Sequence, residues 1–196
     1  PEAVYVDVVG NILVADSNNH RIRKVMIATA PVGSININSG SEYTNTVSVS
    51  LTLSCTSYSG NCIEMQFSND AITWSTSEVF ATNKAWTLTS ADGAKQVYVK
   101  FRDEAGMWSN VYCDSIILDS TPPTINITSP QTYSNSATPL LSYPLSDGIA
   151  SVKVDGAPVT KISGNYLDAL PEGIHTIRVD AVDALGNSGF AEKTFT

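Results

Sequence analysis

Apolar and polar residues alternate along most of this chain of 196 residues. In the stretch SVSLTLSC, Val49, Leu51 and Leu53 fall on one face of an extended chain, and the serines and threonine between them fall on the other. Similar alternation occurs in KQVYVKF, TINIT, SVKVDG and HTIRVDAV. A period of two residues is typical of a strand that is buried on one side. The pattern therefore predicts an all-β protein with little helix.

An internal repeat indicates two similar domains. The stretch DGAKQVYVKFRDEAG at residues 92–106 matches EGIHTIRVDAVDALG at residues 172–186. Upstream, GSININ at residues 33–38 matches TINIT at residues 124–128. Turn sequences such as SNDA, ADGA and VDGA separate the strands at a spacing typical of sandwiches. Each copy is therefore predicted to be an antiparallel β-sandwich.

Proline positions set the predicted domain boundaries. Pro122 and Pro123 lie between the two copies, where they remove two backbone donors and fix φ, so a strand ladder cannot continue through them. We predict a short, stiff hinge there, and a similar break near Pro31. The predicted domains are a β-meander at 1–30 and sandwiches at 31–120 and 121–196.

The first thirty residues contain three short apolar runs separated by polar turns. We predict strands at Val4–Val8, Ile12–Ala15 and Arg21–Val25. A meander of three strands cannot bury its own faces, so its partners must come from outside the segment. These partners are either the rest of a longer parent chain or copies of the same chain, joined head to tail in a filament. The candidate assembly residues are Val4, Val6, Val8, Ile12, Val14 and Ile22.

Two segments of the chain resemble known families. The stretch PEAVYVDVVGNILVADSNNHRIRKV resembles an NHL repeat, which is one blade of a β-propeller, in its Gly-Asn hairpin, its VAD strand and its NHRIRK turn. The stretches SLTLSCTSYSGNCIEMQFSNDAITWS, AWTLTSADGAKQVYVKFRDEAGMWS and DSTPPTINITSP resemble the immunoglobulin-like or fibronectin III-like repeats of large, secreted bacterial surface proteins. This resemblance implies a non-catalytic extracellular or cell-surface stalk or fibre subunit. The alternative that it implies is an adhesin module that recognises carbohydrate or protein through its loops.

Three cysteines are consistent with an oxidising compartment. Cys55 and Cys62 flank a predicted turn between two strands, and we favour a disulfide between them. Cys113 opens the last strand of the same sandwich, near the same pole of the fold, so the pairing stays open. An odd thiol would be free or would bridge to another chain. A zinc site is disfavoured because His20 and His175 lie in other modules.

Charge and hydropathy exclude two classes of partner. The formal net charge is −8, from 19 acidic and 11 basic residues, whereas a nucleic-acid binder needs a basic face. No apolar run reaches the 18 residues that suggest a membrane-spanning helix. Because the chain begins at Pro1 without a methionine, we expect it to be a piece or a processed form of a longer polypeptide.

No catalytic constellation is predicted, and we expect neither enzyme activity nor a cofactor or metal. His20 and His175 are assigned to a blade turn and a strand, and no serine elbow accompanies them. Several acids near module ends are of the residue type that binds calcium, but no dense D-x-D-x-D run is present, so they are predicted to be solvated loop acids. They are Asp103, Glu104, Asp114, Asp119, Asp147 and Asp183.

Aromatic residues supply the remaining candidate contacts. Trp74 and Trp86 are predicted to be core residues. Trp108 lies in a predicted hairpin loop and is expected to be exposed, with Tyr112 nearby. Such a pair would suit stacking against a glycan or a protein ligand.

Overall fold

The prediction of an all-β fold is confirmed. A computed structural model describes residues 3–8, 10–25 and 29–196. In chain order they form an N-terminal meander and two immunoglobulin-like sandwiches, and they contain no α-helix. The chain divides into two compact units, Pro1–Glu42 with Thr46–Leu118 and Tyr43–Asn45 with Asp119–Thr196. Part of the segment predicted as a break near Pro31 falls on residues 26–28, which lie outside the described residues.

The N-terminal meander is a sheet of three antiparallel strands, which we call the blade. The strands are β1 (Ala3–Val6), β2 (Ile12–Asp16) and β3 (Arg21–Val25), in that order across the sheet. The predicted extension of the first strand to Val8 is wrong. β1 ends at Val6 because the next residue, Asp7, begins the turn, and Val8 is a fully exposed turn residue.

The first unit contains a sandwich of two sheets. Its core lies between Val49, Leu51 and Leu53 of one sheet and Val99 and Phe101 of the other, as the alternation of the sequence predicts. The sheet orders are β4-β6-β9 and β5-β11-β10-β7-β8. The strands are β4 (Val32–Ile37), β5 (Tyr43–Thr44), β6 (Ser48–Thr56), β7 (Cys62–Ser68), β8 (Glu78–Val79), β9 (Asn83–Thr87), β10 (Gly93–Asp103) and β11 (Tyr112–Leu118).

The second unit has one regular sheet and one irregular layer. The sheet has the order β13-β12-β14-β15. Its strands are β12 (Ile149–Val154), β13 (Ala157–Val159), β14 (His175–Val182) and β15 (Ser188–Phe195). The opposite layer is held by isolated bridges such as Ile125 to Leu145, so the predicted TINIT strand is not a regular strand. Five prolines in this region remove donors that a continuous ladder would need. They are Pro122, Pro123, Pro130, Pro139 and Pro144.

One type of turn occurs in the blade and in both units' sandwiches. An aspartate begins each turn, and one oxygen of its carboxylate accepts the backbone N–H four residues later at 2.9 Å. The aspartates are Asp7, Asp103 and Asp183. The third residue after each aspartate is a glycine in the left-handed region, with φ of 90°, 83° and 88°, which suits a three-residue hairpin with a bulge. Asp103 and Asp183 are buried turn residues, so the prediction that they are solvated is wrong.

Candidate binding surfaces

The predicted assembly residues lie on two different faces of the blade. Pairing of β1 with β2 places Val4 beside Val14 and Val6 beside Ile12, so these four share the first face. Ile22 pairs with Ala15 and therefore lies on the second face, together with Tyr5 and Leu13. The structure thus places five of the six predicted residues in strands. It leaves Val8 in the turn.

Both faces of the blade carry apolar side chains that are open to solvent, beside Arg23 on the first face and Lys24 on the second. On the first face, Val4 and Val6 are 61% and 57% exposed, and Val25 is 54% exposed. On the second face, Tyr5 and Ile22 are 61% and 77% exposed. Exposed apolar side chains that lie beside charged residues commonly mark a contact with another protein.

The predicted disulfide between Cys55 and Cys62 is confirmed. Their Cα atoms are 6.1 Å apart, and the bridge joins β6 of one sheet to β7 of the other. The loop between the two cysteines is also fastened to the hairpin after β10. The Asn61 side chain donates to Glu104 at 3.0 Å, and the Ser57 hydroxyl donates to Asp103 at 2.8 Å. The bond from Asn61 lowers the pKa of the Glu104 carboxyl below its usual range.

Cys113 is a free thiol on the outer surface of the first sandwich. It is exposed and pairs with Tyr98 in the register between β10 and β11. The side chain therefore points away from the core, because Tyr112 beside it points inward.

The structure does not bring Trp108 and Tyr112 together on one surface. Tyr112 packs on the core, with its ring centroid 6.2 Å from that of Phe101. Trp108 is half-buried on the outer side of the five-stranded sheet, where its ring lies 5.0 Å from the Lys100 ammonium nitrogen. The expectation that Trp108 is freely exposed is therefore wrong, because its half-buried ring lies against the ammonium group of Lys100.

The other two tryptophans differ from each other. Trp86 packs on the core as predicted, 5.2 Å from the Phe67 ring, and its indole N–H donates to Asn69 at 2.8 Å. Trp74, also predicted to be a core residue, is half-buried on the outer side, with the Lys100 nitrogen 4.4 Å from its ring centroid. The turn before Trp74 is fixed by Asp70, where the amides of Thr73 and Ile72 lower the carboxyl pKa to about 2.

The two histidines have different surroundings. His175 is buried, with Nδ1 2.7 Å from a carboxylate oxygen of Asp155 and Nε2 2.9 Å from the carbonyl oxygen of Pro171. The bond to Asp155 raises the pKa of His175, and both ring nitrogens are engaged by protein oxygens. His20 occupies an exposed turn with a φ of 50°.

Two other kinds of site are absent from residues 3–8, 10–25 and 29–196. No group of three or more His, Cys, Asp or Glu side chains could hold a metal ion. Within the same residues, no helix has the length and apolar character needed to cross a membrane.

Residues 1–25 match the NHL repeat family. This match confirms the resemblance of the N-terminal segment to one blade. No curated protein matches the chain.

Several solved structures are similar in fold at low sequence identity. The PKD1 domain of Vibrio anguillarum Epp is 18% identical, with a TM-score of 0.37, and the match covers 48% of this chain and 100% of that one. Fibronectin(III)-like modules of Clostridium thermocellum CbhA are 19% identical, with a TM-score of 0.39 and coverage of 82% and 91%. A structure from a 1.5-MDa bacterial ice-binding adhesin is 16% identical, with a TM-score of 0.45 and coverage of 95% and 72%.

Proposed function

We propose that this protein is a non-catalytic, extracellular structural module that joins to copies of itself through the blade. The observation that carries the proposal is the exposure of apolar side chains on both faces of the blade, from Val4 on one face to Ile22 on the other. Three strands alone are marginally stable in water, and a repeat unit of this kind is stabilised by neighbours that cover its faces.

The geometry of the blade supports a contact that repeats. A single copy presents two chemically different apolar faces, so the first face of one copy can pack against the second face of the next. Such a heterologous contact leaves one face free at each end and extends into a filament unless a ring closes. The result would be a stalk or fibre in which the sandwiches act by position.

The disulfide supports the extracellular location. Bridges such as Cys55–Cys62 form and persist in oxidising compartments and are rare in the cytosol. Here the bridge joins the two sheets of the first sandwich, which is a stabilising role in a secreted module.

The experiment uses one charged variant for each face of the blade. Val4→Asp places a charge on the first face, and Ile22→Asp places one on the second. Ile72→Asp is the control, because Ile72 is 83% exposed in a turn of the first sandwich. Sedimentation velocity over a range of concentrations and electron microscopy measure assembly, and circular dichroism checks that each variant is folded.

We expect the parent chain and Ile72→Asp to form concentration-dependent, open-ended assemblies. Each blade variant alone should remain monomeric, because a face-to-face contact then always includes a charge. A mixture of Val4→Asp and Ile22→Asp should give one-to-one dimers, since each retains the face that the other has lost. A parent chain that is monomeric at all concentrations would overturn the proposal. Assembly that persists after removal of residues 1–28 would do the same.

A further inference from the structure

A lysine lies between two indole rings on the outer surface of the first sandwich. Lys100 lies in the middle of β10, between Val99 and Phe101, which are both fully buried, so the strand holds its side chain outward. Its ammonium nitrogen is 4.4 Å from the ring centroid of Trp74 and 5.0 Å from that of Trp108. We call these three residues the Trp–Lys–Trp cluster.

The ammonium and indole N–H donors of the cluster have no acceptor among the described residues. Within the described part of the chain, Lys100 forms no ion pair, and the indole N–H groups of Trp74 and Trp108 donate to no protein atom. Another cation that stacks on an aromatic ring does have an acceptor. Arg178, which stacks on Phe190 at 3.9 Å, also donates to Asp180 at 2.8 Å.

The surroundings of the cluster are polar. Gln66 is the register partner of Lys100 on β7, and its amide nitrogen donates to the carbonyl of Ser75 at 3.1 Å. Tyr98, two residues before Lys100 on the same face, donates its hydroxyl to Gln96. The face therefore combines the Lys100 ammonium, the Arg102–Glu64 ion pair, aromatic rings and polar groups capable of binding hydroxyls.

We propose that the Trp–Lys–Trp cluster binds an acidic polysaccharide, with Lys100 pairing with the carboxylate of a uronic acid residue. Indole rings offer an apolar face and a polar N–H to a sugar ring, and a lysine ammonium pairs well with a carboxylate. A saccharide can use the rings, the indole N–H groups and the polar side chains of this face together with the cation, whereas an acidic peptide would favour a groove or a strand edge. The chain as a whole carries a charge of −8, so it repels polyanions except at such a local cation.

The test compares three probes on the full chain. A galacturonic acid hexamer is the acidic saccharide, its fully methyl-esterified form is the neutral counterpart, and hexaglutamate is the acidic peptide. Binding is measured by calorimetry and by tryptophan emission, because Trp74 and Trp108 are two of the three tryptophans in the chain. We expect saturable binding of the galacturonic acid hexamer, weaker binding of its ester and none of the peptide.

Variants at the lysine separate charge from fold. Lys100→Met removes the ammonium and keeps the length of the stem, and it should weaken binding of the acidic hexamer by about tenfold or more. Lys100→Arg keeps a cation that stacks on aromatic rings and should retain binding. Lys95→Met is the matched control on the same strand, with the same change in net charge, and should bind like the parent.

Three results would overturn the proposal. The first is the absence of binding of the acidic hexamer at millimolar concentration. The second is equal binding of the ester or of hexaglutamate, which would point to a neutral glycan or to a peptide ligand. The third is an equal loss of binding in Lys95→Met and Lys100→Met, which would indicate a general charge effect.

Discussion

Loss of the bridge between Cys55 and Cys62 should destabilise the first sandwich without unfolding it. The perturbation is Cys55→Ala/Cys62→Ala, made in a Cys113→Ser background so that the exposed third thiol cannot exchange with the other two. Unfolding should remain cooperative, because the loop is also held by the bonds from Asn61 to Glu104 and from the neighbouring serine to the buried hairpin aspartate.

The magnitude follows from the size of the closed loop. The two cysteines are separated by seven positions, and in the chain-entropy model a ring of that size stabilises the folded state by about 2.5 kcal/mol at 25 °C. A change of this size lowers the melting temperature of a domain of this length by roughly 10–20 °C. The denaturant m-value should also rise, because the unfolded chain without a cross-link exposes more surface.

The sequence provides a selective assay. All three tryptophans and all three cysteines lie between residues 55 and 113, so tryptophan emission in urea reports the unfolding of the first unit alone. The second unit contains neither residue type, so its calorimetric transition serves as an internal reference that should not move. Reducing the disulfide in the Cys113→Ser parent should reproduce the stability of the double alanine variant with no change in core volume.

The reasoning is refuted if the oxidised and reduced parent unfold at the same urea concentration. It is also refuted if the second transition shifts as much as the first, since the effect would then not be a local constraint on the first sandwich.

Three further predictions concern single residues. Gly33→Ala should destabilise the first unit by about 1–3 kcal/mol in urea titrations, because a Cβ there would lie 2.4 Å from the Phe101 ring and 2.6 Å from the Ser54 oxygen, while Ser34→Ala should have little effect. Asp103→Ala should cost about 1–3 kcal/mol in the same assay, because it leaves the Met107 amide and the Ser57 hydroxyl without their acceptor; an unchanged midpoint would contradict the assigned role of the turn. In the second unit, the pKa of His175 is raised from 6.5 by its bond to Asp155, and the pKa of Asp155 is lowered from 3.8 by the same bond. The contribution of His175 is therefore fully present below about pH 6.5 and is lost as pH rises through the raised pKa, and that of Asp155 is present above about pH 3.8 and is lost as pH falls through the lowered pKa. Calorimetry of the second transition should show that His175→Gln removes the loss on the alkaline side, and a parallel pH profile in both proteins would contradict this assignment.

The local alternation of residues predicted the strands well because each strand is buried on one side. Val49, Leu51 and Leu53 are nearly fully buried, as a period of two requires, and the adjacent serines are exposed. The irregular layer of the second sandwich was missed because the TINIT stretch alternates in the same way. Prolines nearby remove the donors that would extend it, and their effect depends on the partner strand, which alternation does not show.

The Trp–Lys–Trp cluster could not be predicted from spacing alone. Trp74, Lys100 and Trp108 come from a turn, a strand and a hairpin, and they meet only because of the pairing between β7 and β10 and the bridge from Arg102 to Trp108. The turn role of the buried aspartates could have been predicted from the sequence. The spacing of an aspartate and a glycine three residues later occurs in the blade and in both sandwiches, and a solvated loop acid has no need of such a glycine.

The blade and the Trp–Lys–Trp cluster require opposite kinds of partner, and salt distinguishes them. Two of the blade's cations are paired within the blade, since Arg23 is 2.8 Å from Asp16 and Lys24 is 3.8 Å from Asp7, and the exposed side chains proposed for its contacts are apolar. Salting-out ions strengthen the burial of apolar surface, so sulfate should leave the proposed assembly intact or strengthen it. Lys100 has no such partner in the described residues, and its pairing with a carboxylate is screened as ionic strength rises. A saccharide contact that strengthened with salt would therefore contradict the role of Lys100, and an assembly that dissolved in sulfate would contradict the role of the blade.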